Sequence, residues 1–456
     1  MKARDAGDTE KIQQLITQMN ALGWYHSIEL PNGEVIQGIQ SLAQQRLRLR
    51  QFLIPEDLRG KRVLDIGAWD GWFSFEMEKR GASVVAVDAI RNEKLLQARD
   101  LLGSKIEYHV ADVCDLRPSD LGVFDIVLFL GVLYHLKHPM LALERVCAMS
   151  TDLVCVESVV LNDGYKPEAV PLMEFYETTE LCGQFDNWVA PNVACLLSMC
   201  RTAGFARVRF EGMLGDRAHV SCFRTWDGGE GTGPAPYIVS IANAMSLDLA
   251  FSSSKDEYVS LWFMDHRAGL TADDVYPEVG GYGSRPVKLV SAGPGGWETV
   301  FKLPLGLQAG WPEVRLRVRD SAYSNTIRLG LGVNQEQRRQ RTLASPNSPE
   351  FEINEAMDAK TWERNLIQKR QNAWISVWVR GLPIGASKPE ICVRFDGYDL
   401  PCEYLGTPDA AGLTQVNALI PSGIAPGTVD INVAVGDLVT PPVRVELVSG
   451  SGVKID

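Results

Sequence analysis

The run Val63-Leu64-Asp65-Ile66-Gly67-Ala68-Trp69-Asp70-Gly71 carries an apolar strand into a helix through a tight glycine turn. Glycine in such a turn lets a ligand approach the backbone closely, and the first N–H groups of the helix face it. Moving outward, the next apolar run, Ser83 to Val87, closes on Asp88, and a third, Ile106 to Val110, is followed by Asp112 and Val113. A carboxylate in the place of Asp88 can accept hydrogen bonds from both hydroxyls of a ribose. Asp112 and the Val113 backbone can reach an adenine edge. Asp65, Gly67, Ala68, Gly71 and Ala89 complete the expected adenosine cradle. The bland alternative is three acids at solvated strand ends. The glycine turn and the ordered series of acids behind it favour adenosine binding. The turn has neither the G-x-G-x-x-G pattern of a dinucleotide site nor the lysine of a phosphate loop.

Two further runs, Phe124 to Leu130 and Leu153 to Ser158, are largely apolar, which suits strands covered on both faces of a parallel sheet. Ala206 to Phe210 and His219 to Phe223 are expected to close that sheet as an antiparallel pair. Residues 1–60 read as an N-terminal helical cap: Ile12, Leu15, Ile16 and Met19 follow Asp8 at helical spacing, and a second helix is expected over 38–53, with Arg46, Arg48 and Arg50 along it. Between them lies Trp24-Tyr25-His26 and a turn at Pro31-Asn32-Gly33. The texture changes near residue 226. Residues 227–249 read as a linker. Short alternating strands separated by glycine and proline then suggest two β-sandwich modules, 250–371 and 372–456, with a charged, partly helical stretch near 350–371.

With 45% hydrophobic and 22% charged residues, the 456-residue chain has the composition of a folded multidomain protein. No apolar run is long enough to cross a bilayer as a helix, and the polar start lacks a secretory signal, so a cytoplasmic protein with no membrane partner is expected. The nine cysteines form no CxxC pair, and neither a disulfide framework nor a metal site is expected. The net charge is −12 and neither half is basic, which disfavours a nucleic-acid surface.

A second segment, Leu130-Gly131-Val132-Leu133-Tyr134-His135-Leu136-Lys137-His138-Pro139, together with the glycine turn, resembles the tRNA wobble-uridine methyl- and carboxymethyltransferase-like family of class I S-adenosylmethionine-dependent methyltransferases. The resemblance covers about residues 20–225. It implies a Rossmann-like α/β domain over 61–226, S-adenosylmethionine as cofactor, and donor contacts at Gly67, Asp88, Asp112, Leu130 and Tyr134. Trp69 stands where many relatives have a glycine. The Lys, Trp and Arg residues with which the carboxymethyl-transferring members hold a carboxylated donor have no match here, so the ordinary donor is expected. Methyl transfer mainly requires alignment of acceptor, methyl and sulfur, but a hydroxyl acceptor calls for a base. His135 is the first candidate, with Tyr134 beside the methyl, and His26 is the second. Glu157 reads equally as a cleft carboxylate or a solvated one. Glu174, Phe175, Tyr176 and Trp188 read as an acceptor lid or as core. Arg46, Arg48 and Arg50 read as a solvated helix face rather than a phosphate site.

The C-terminal strands around Val393-Arg394-Phe395-Asp396-Gly397 and Gly427-Thr428-Val429 resemble an immunoglobulin-like module of the IPT/TIG type, and the middle module resembles a related sandwich. Glycan or protein binding is one expected role, and a spacer or dimerising appendage is the other. The expected function is O-methylation of a small-molecule or saccharide acceptor, in preference to tRNA. The alternatives are a tRNA wobble-uridine methyltransferase and a non-catalytic scaffold for the β modules.

Overall fold

The computed structural model describes residue 17 and residues 23–161, 170–252, 255–343, 350–370 and 372–449. The helix expected from Asp8 to Met19 lies, Thr17 apart, outside the described residues. The chain divides into two compact units, Met1–Thr225 and Trp226–Asp456.

The first unit is built on a seven-stranded sheet. In chain order its strands are β1 (Arg62–Ile66), β2 (Ser83–Asp88), β3 (Glu107–Val110), β4 (Phe124–Leu130), β5 (Ser150–Val159), β6 (Arg207–Leu214) and β7 (Arg217–Phe223). Their spatial order is β6-β7-β5-β4-β1-β2-β3. The five strands β1 to β5 are parallel to one another, and β7 lies antiparallel between β5 and β6. The period-2 geometry of a strand explains why these runs are largely apolar. Leu64, Val85, Val127 and Val154 enter one buried cluster, while their neighbours Val63, Val84, Ile126, Leu128, Leu153 and Cys155 enter another. The first cluster is completed by the helices Pro139–Met149 and Val193–Thr202, the second by Trp72–Lys79 and Glu93–Leu102. Phe124 and Phe129 are fully buried, and truncating either to Ala costs about 3–5 kcal/mol on the usual scale.

Chain order reverses between β1 and β4, which puts the ligand crevice of an open α/β sheet at the carboxyl ends of those two strands. Both strands end there in left-handed glycines, Gly67 (φ +74°) and Gly131 (φ +76°).

The N-terminal cap is not all helical, which corrects the expectation for residues 1–60. Ile28–Glu29 and Val35–Ile36 pair as a hairpin across the turn at Pro31-Asn32-Gly33, and Trp24–His26 runs parallel to Gly38–Gln40. β-branched residues on both sides of that turn prefer strands to helix. The helix is limited to Leu42–Leu49 and starts in a capping box between Ser41 and Gln44.

In the second unit, two four-stranded sheets are followed by a third and by a larger sheet holding Leu366–Lys369, Ile391–Phe395, Tyr398–Pro401, Gly427–Val435 and Val443–Ser449. One continuous hydrophobic cluster takes in residues from all four, from Ile238 to Leu447. The stretch read as a linker over 227–249 contains a strand, Tyr237–Asn243, which pairs with Tyr258–Met264 and buries Ile238 and Ile241. The charged stretch near 350–371 is also stranded rather than helical. Glu352–Asp358 pairs with Ala373–Arg380, and Leu366–Lys369 runs parallel to Val443–Ser449. Ile353 and Ile367 face inward and Glu352 outward, while Asp358 is buried and paired with the Gln368 N–H and with Arg370. These two strands therefore belong to the sheets of the last module, so a boundary at 371/372 would cut through them. A strongly polar helix, Gln335–Leu343, precedes them, with Thr342 buried.

Candidate active site

The glycine turn after β1 is shaped by contacts that leave no room for side chains. A Cβ on Gly67 would fall 2.3 Å from Val132 Cγ2. Trp69, in the place of a third glycine, adopts the left-handed conformation a glycine would take (φ +52°), at a cost of about 1–2 kcal/mol. The turn is held to β2 by the Trp69 N–H, which donates to Asp88 Oδ2 at 2.9 Å. Asp88 Oδ1 receives only a long bond from the Ile90 N–H, at 3.4 Å, and so keeps acceptor capacity toward the crevice. Burial raises the Asp88 pKa, with the N–H groups of Trp69, Ile90 and Ala89 and the charge of His135 acting against it. Asp65 is fully buried under the turn and accepts the Ser74 hydroxyl at 2.6 Å; burial pushes its pKa up to about 6. Asp112 is exposed and caps the turn at Val113 by accepting the Cys114 N–H at 2.8 Å. Ala68 and Leu130 are buried, and Ala89 is exposed.

Beside this crevice lies a polar cluster that the sequence did not announce. Glu157, on β5 opposite Leu130 of β4, is completely buried. Arg48 donates to it through Nε and Nη2, both at 2.9 Å, Arg217 Nη1 donates at 2.8 Å, and His219 Nε2 lies 3.2 Å away. Burial alone would raise the Glu157 pKa, but the adjacent His219 ring and the Arg48 and Arg217 charges hold it well below the ordinary range. Arg48 also donates to Gln40 Oε1, and Gln40 Nε2 donates to the Tyr25 hydroxyl. Tyr134 is buried, and its pKa is raised by that burial against the charge and hydrogen bond of Arg217. Gly131 keeps this corner open: a Cβ there would sit 3.1 Å from Arg217 Nη1 and 3.5 Å from Tyr134 Oη.

Two readings are corrected here. Glu157 is a buried, triply paired anion and not a solvated one. Arg48 is also buried, because Gln45, Arg48 and Leu49 share the inward face of their helix, whereas Arg46 points outward to Glu29 and Arg50 is exposed. Each member carries a faint mark of its own, the spacing 45, 48, 49 and the acid Glu157 within the run Leu153 to Ser158, but nothing in the sequence pairs them.

His135 is one-third exposed, and its Nδ1 lies 3.1 Å from the Asp186 carbonyl oxygen. Through Trp188, whose N–H donates to the Tyr134 carbonyl at 2.7 Å, the segment 170–192 is anchored over this corner. That segment is a short hairpin, Met173–Phe175 with Val189–Pro191. Trp188 stacks under Lys137 Nζ at 4.0 Å, while Phe175 and Phe185 are exposed. Glu174 accepts the Tyr176 hydroxyl at 2.7 Å.

His26 lies against the glycine turn. The buried Asp70 accepts the N–H groups of Tyr25 and His26, each at 2.9 Å, and the His26 ring through Nδ1.

Residues 39–214 match a family model described as a methyltransferase domain. This part of the chain is a methyltransferase domain. The donor taken by such a domain is S-adenosylmethionine, and the residues present fit it: a carboxylate with spare acceptor capacity at Asp88, a turn without side chains at Gly67, and a helix start at Trp72 with no side-chain cap. The chain is similar to the tRNA U34 carboxymethyltransferase of Pseudomonas aeruginosa strain UCBPP-PA14, with 33% identity over 159 residues, or 34% of this chain and 47% of that protein. It is also similar to the enzyme of the same name from Azotobacter vinelandii, with 30% identity over 159 residues, 34% of this chain and 48% of the relative. The chain thus spans about half the length of the curated relatives it matches. Among solved structures, the N-terminal domain of EvdMO1, crystallised in the presence of SAH and D-fucose, aligns with 20% identity and a TM-score of 0.37, covering 48% of this chain and 98% of that one. Among the described residues, no helix is long and apolar enough to cross a membrane, and no group of three or more His, Cys, Asp or Glu is placed to hold a metal ion.

Proposed function

We propose that the protein transfers a methyl group from S-adenosylmethionine to a hydroxyl of a small polyhydroxylated acceptor of the saccharide class. The observation that carries this reading is the pairing of the Gly67–Asp88 crevice with a wall of hydrogen-bonding groups, Tyr25, Gln40, Arg48, Tyr134 and Arg217, beside the open corner at Gly131. Such a wall suits a ligand rich in hydroxyls better than an apolar one. When bound, the donor supplies a sulfonium-activated methyl. Asp88 would hold the ribose, Asp112 and Val113 the adenine edge, and the Gly67–Gly71 turn with the first N–H groups of the following helix the amino-acid end. Tyr134 shapes the wall near the methyl, and His135, held by Asp186, borders the same cleft. The segment 170–192 excludes water from above. In this reading the second unit is a binding module for a glycan or protein, or a homodimer contact.

A second reading, modification of a wobble uridine in tRNA, is favoured by the name shared by the curated relatives. The net charge of −12 disfavours it. Incubating the protein with methyl-labelled S-adenosylmethionine and either free hexoses and 6-deoxyhexoses or bulk tRNA separates the two. Label on sugar supports the first reading, and label on tRNA, with binding that falls steeply with salt, replaces it with the second.

A further inference from the structure

We infer that His26, oriented by Asp70, is the general base for this transfer, an assignment that rests on the hydroxyl-methylation reading. His26 is 5% exposed, and its Nε2 is buried with no hydrogen-bond partner among the described residues. A buried ring nitrogen left unpaired costs about 1–3 kcal/mol, so its persistence calls for a ligand proton or an acceptor hydroxyl. The rest of the ring is fixed. Nδ1 bonds to Asp70 Oδ1, whose partner oxygen already accepts the backbone N–H groups of Tyr25 and His26, at 2.9 Å each. A carboxylate in that setting can only accept, so the Nδ1 proton stays on the ring and the Nε2 lone pair is the free one.

The placement suits the role. Asp70 belongs to the glycine turn, so the donor cradle and the carboxylate that orients the base share one loop. The His26 ring meets Phe73 of the following helix edge-on at 5.4 Å, and the Arg48 guanidinium lies over that same Phe73 ring at 5.0 Å. His26 therefore stands next to both the turn and the polar wall. In the reaction the acceptor oxygen bonds to the methyl carbon as the carbon–sulfur bond breaks, its electron pair going to sulfur, which becomes a neutral thioether. The hydroxyl proton passes to His26 Nε2. The imidazolium is stabilised by Asp70 and returns its proton to water after the product leaves.

Two measurements on the full chain test this. Nitrogen-15 NMR of the imidazoles, with the His26 signals assigned by their loss in His26→Ala, is expected to show a neutral ring protonated at Nδ1. A proton on Nε2 instead would overturn the assignment without any assay of turnover. In methyl transfer to free hexoses and 6-deoxyhexoses, His26→Ala is expected to lower the rate about 10²–10⁴-fold with S-adenosylhomocysteine affinity unchanged, and added imidazole is expected to restore part of it. An undiminished rate in His26→Ala overturns the assignment. If the wild type binds S-adenosylhomocysteine but methylates no sugar, the acceptor reading fails and the base assignment falls with it; sugar methylation that survives in His26→Ala, or a proton on Nε2, overturns the base assignment alone.

Discussion

Arg48 and Glu157, 109 residues apart in sequence, meet side-on through two hydrogen bonds of 2.9 Å, one from Nε and one from Nη2. This bidentate pair ties the N-terminal segment to the middle of the sheet, and Arg217 and His219 complete the shell around the same carboxylate. Removing the anion leaves the buried Arg48 and the partly buried Arg217 without their shared counter-charge. Glu157→Gln is therefore expected to cost about 3–5 kcal/mol, read as a lower midpoint in urea unfolding of the first unit's fluorescence.

The same pair sets an acid limit. Because its folded pKa is depressed, Glu157 contributes its full stabilisation above the ordinary glutamate value near ~4.3, and that contribution is lost as pH falls below it toward the folded value. The melting temperature of the wild type is expected to drop steeply below about pH 4, and Glu157→Gln to show a shallower slope there. Parallel slopes would show that other carboxylates govern the acid transition.

Asp65 behaves in the opposite sense. Its folded pKa is raised to about 6 by burial, so the folded state binds the proton more tightly than the unfolded chain, and this group's contribution falls as pH rises from about 4 to about 6. Asp65→Asn keeps an acceptor for the Ser74 hydroxyl and removes the buried charge. It is expected to melt higher than the wild type at pH 8, by an amount equivalent to about 1–3 kcal/mol, with the gap closing at pH 4. Differential scanning calorimetry at the two pH values checks this.

Gly67→Ala meets two obstacles, a φ of +74° and a Cβ 2.3 Å from Val132 Cγ2. It is expected to weaken S-adenosylhomocysteine binding at least ~10-fold and to destabilise by about 1–3 kcal/mol. Adding Val132→Ala removes the clash and not the backbone strain, so the double variant should recover part of the loss. No recovery would mean that the strain alone accounts for the defect.

The parallel sheet was legible because both faces of its strands are covered: Leu64 and Val63, or Val127 and Ile126, fill opposite cores, and that leaves a continuous apolar run in the sequence. The glycine turn, Asp88 and Asp112 were legible because their spacing follows from the strand ends. The Arg48–Glu157–Arg217 cluster was not, since pairing across 109 and 60 residues leaves no local pattern. The same is true of Asp70, whose three bonds reach back to Tyr25 and His26. The Tyr237–Asn243 strand was hidden behind a glycine- and proline-rich approach, and only the alternation of Ile238 and Ile241 with partly exposed neighbours marks it.

Calorimetric titration of the full chain with S-adenosylhomocysteine, wild type against Asp88→Ala, tests the donor site most directly. Micromolar binding by the wild type is expected, weakened about 10–150-fold in the variant by loss of a charged hydrogen-bond acceptor. No binding by the wild type, or equal affinity in Asp88→Ala, would contradict a donor site between Gly67 and Asp88.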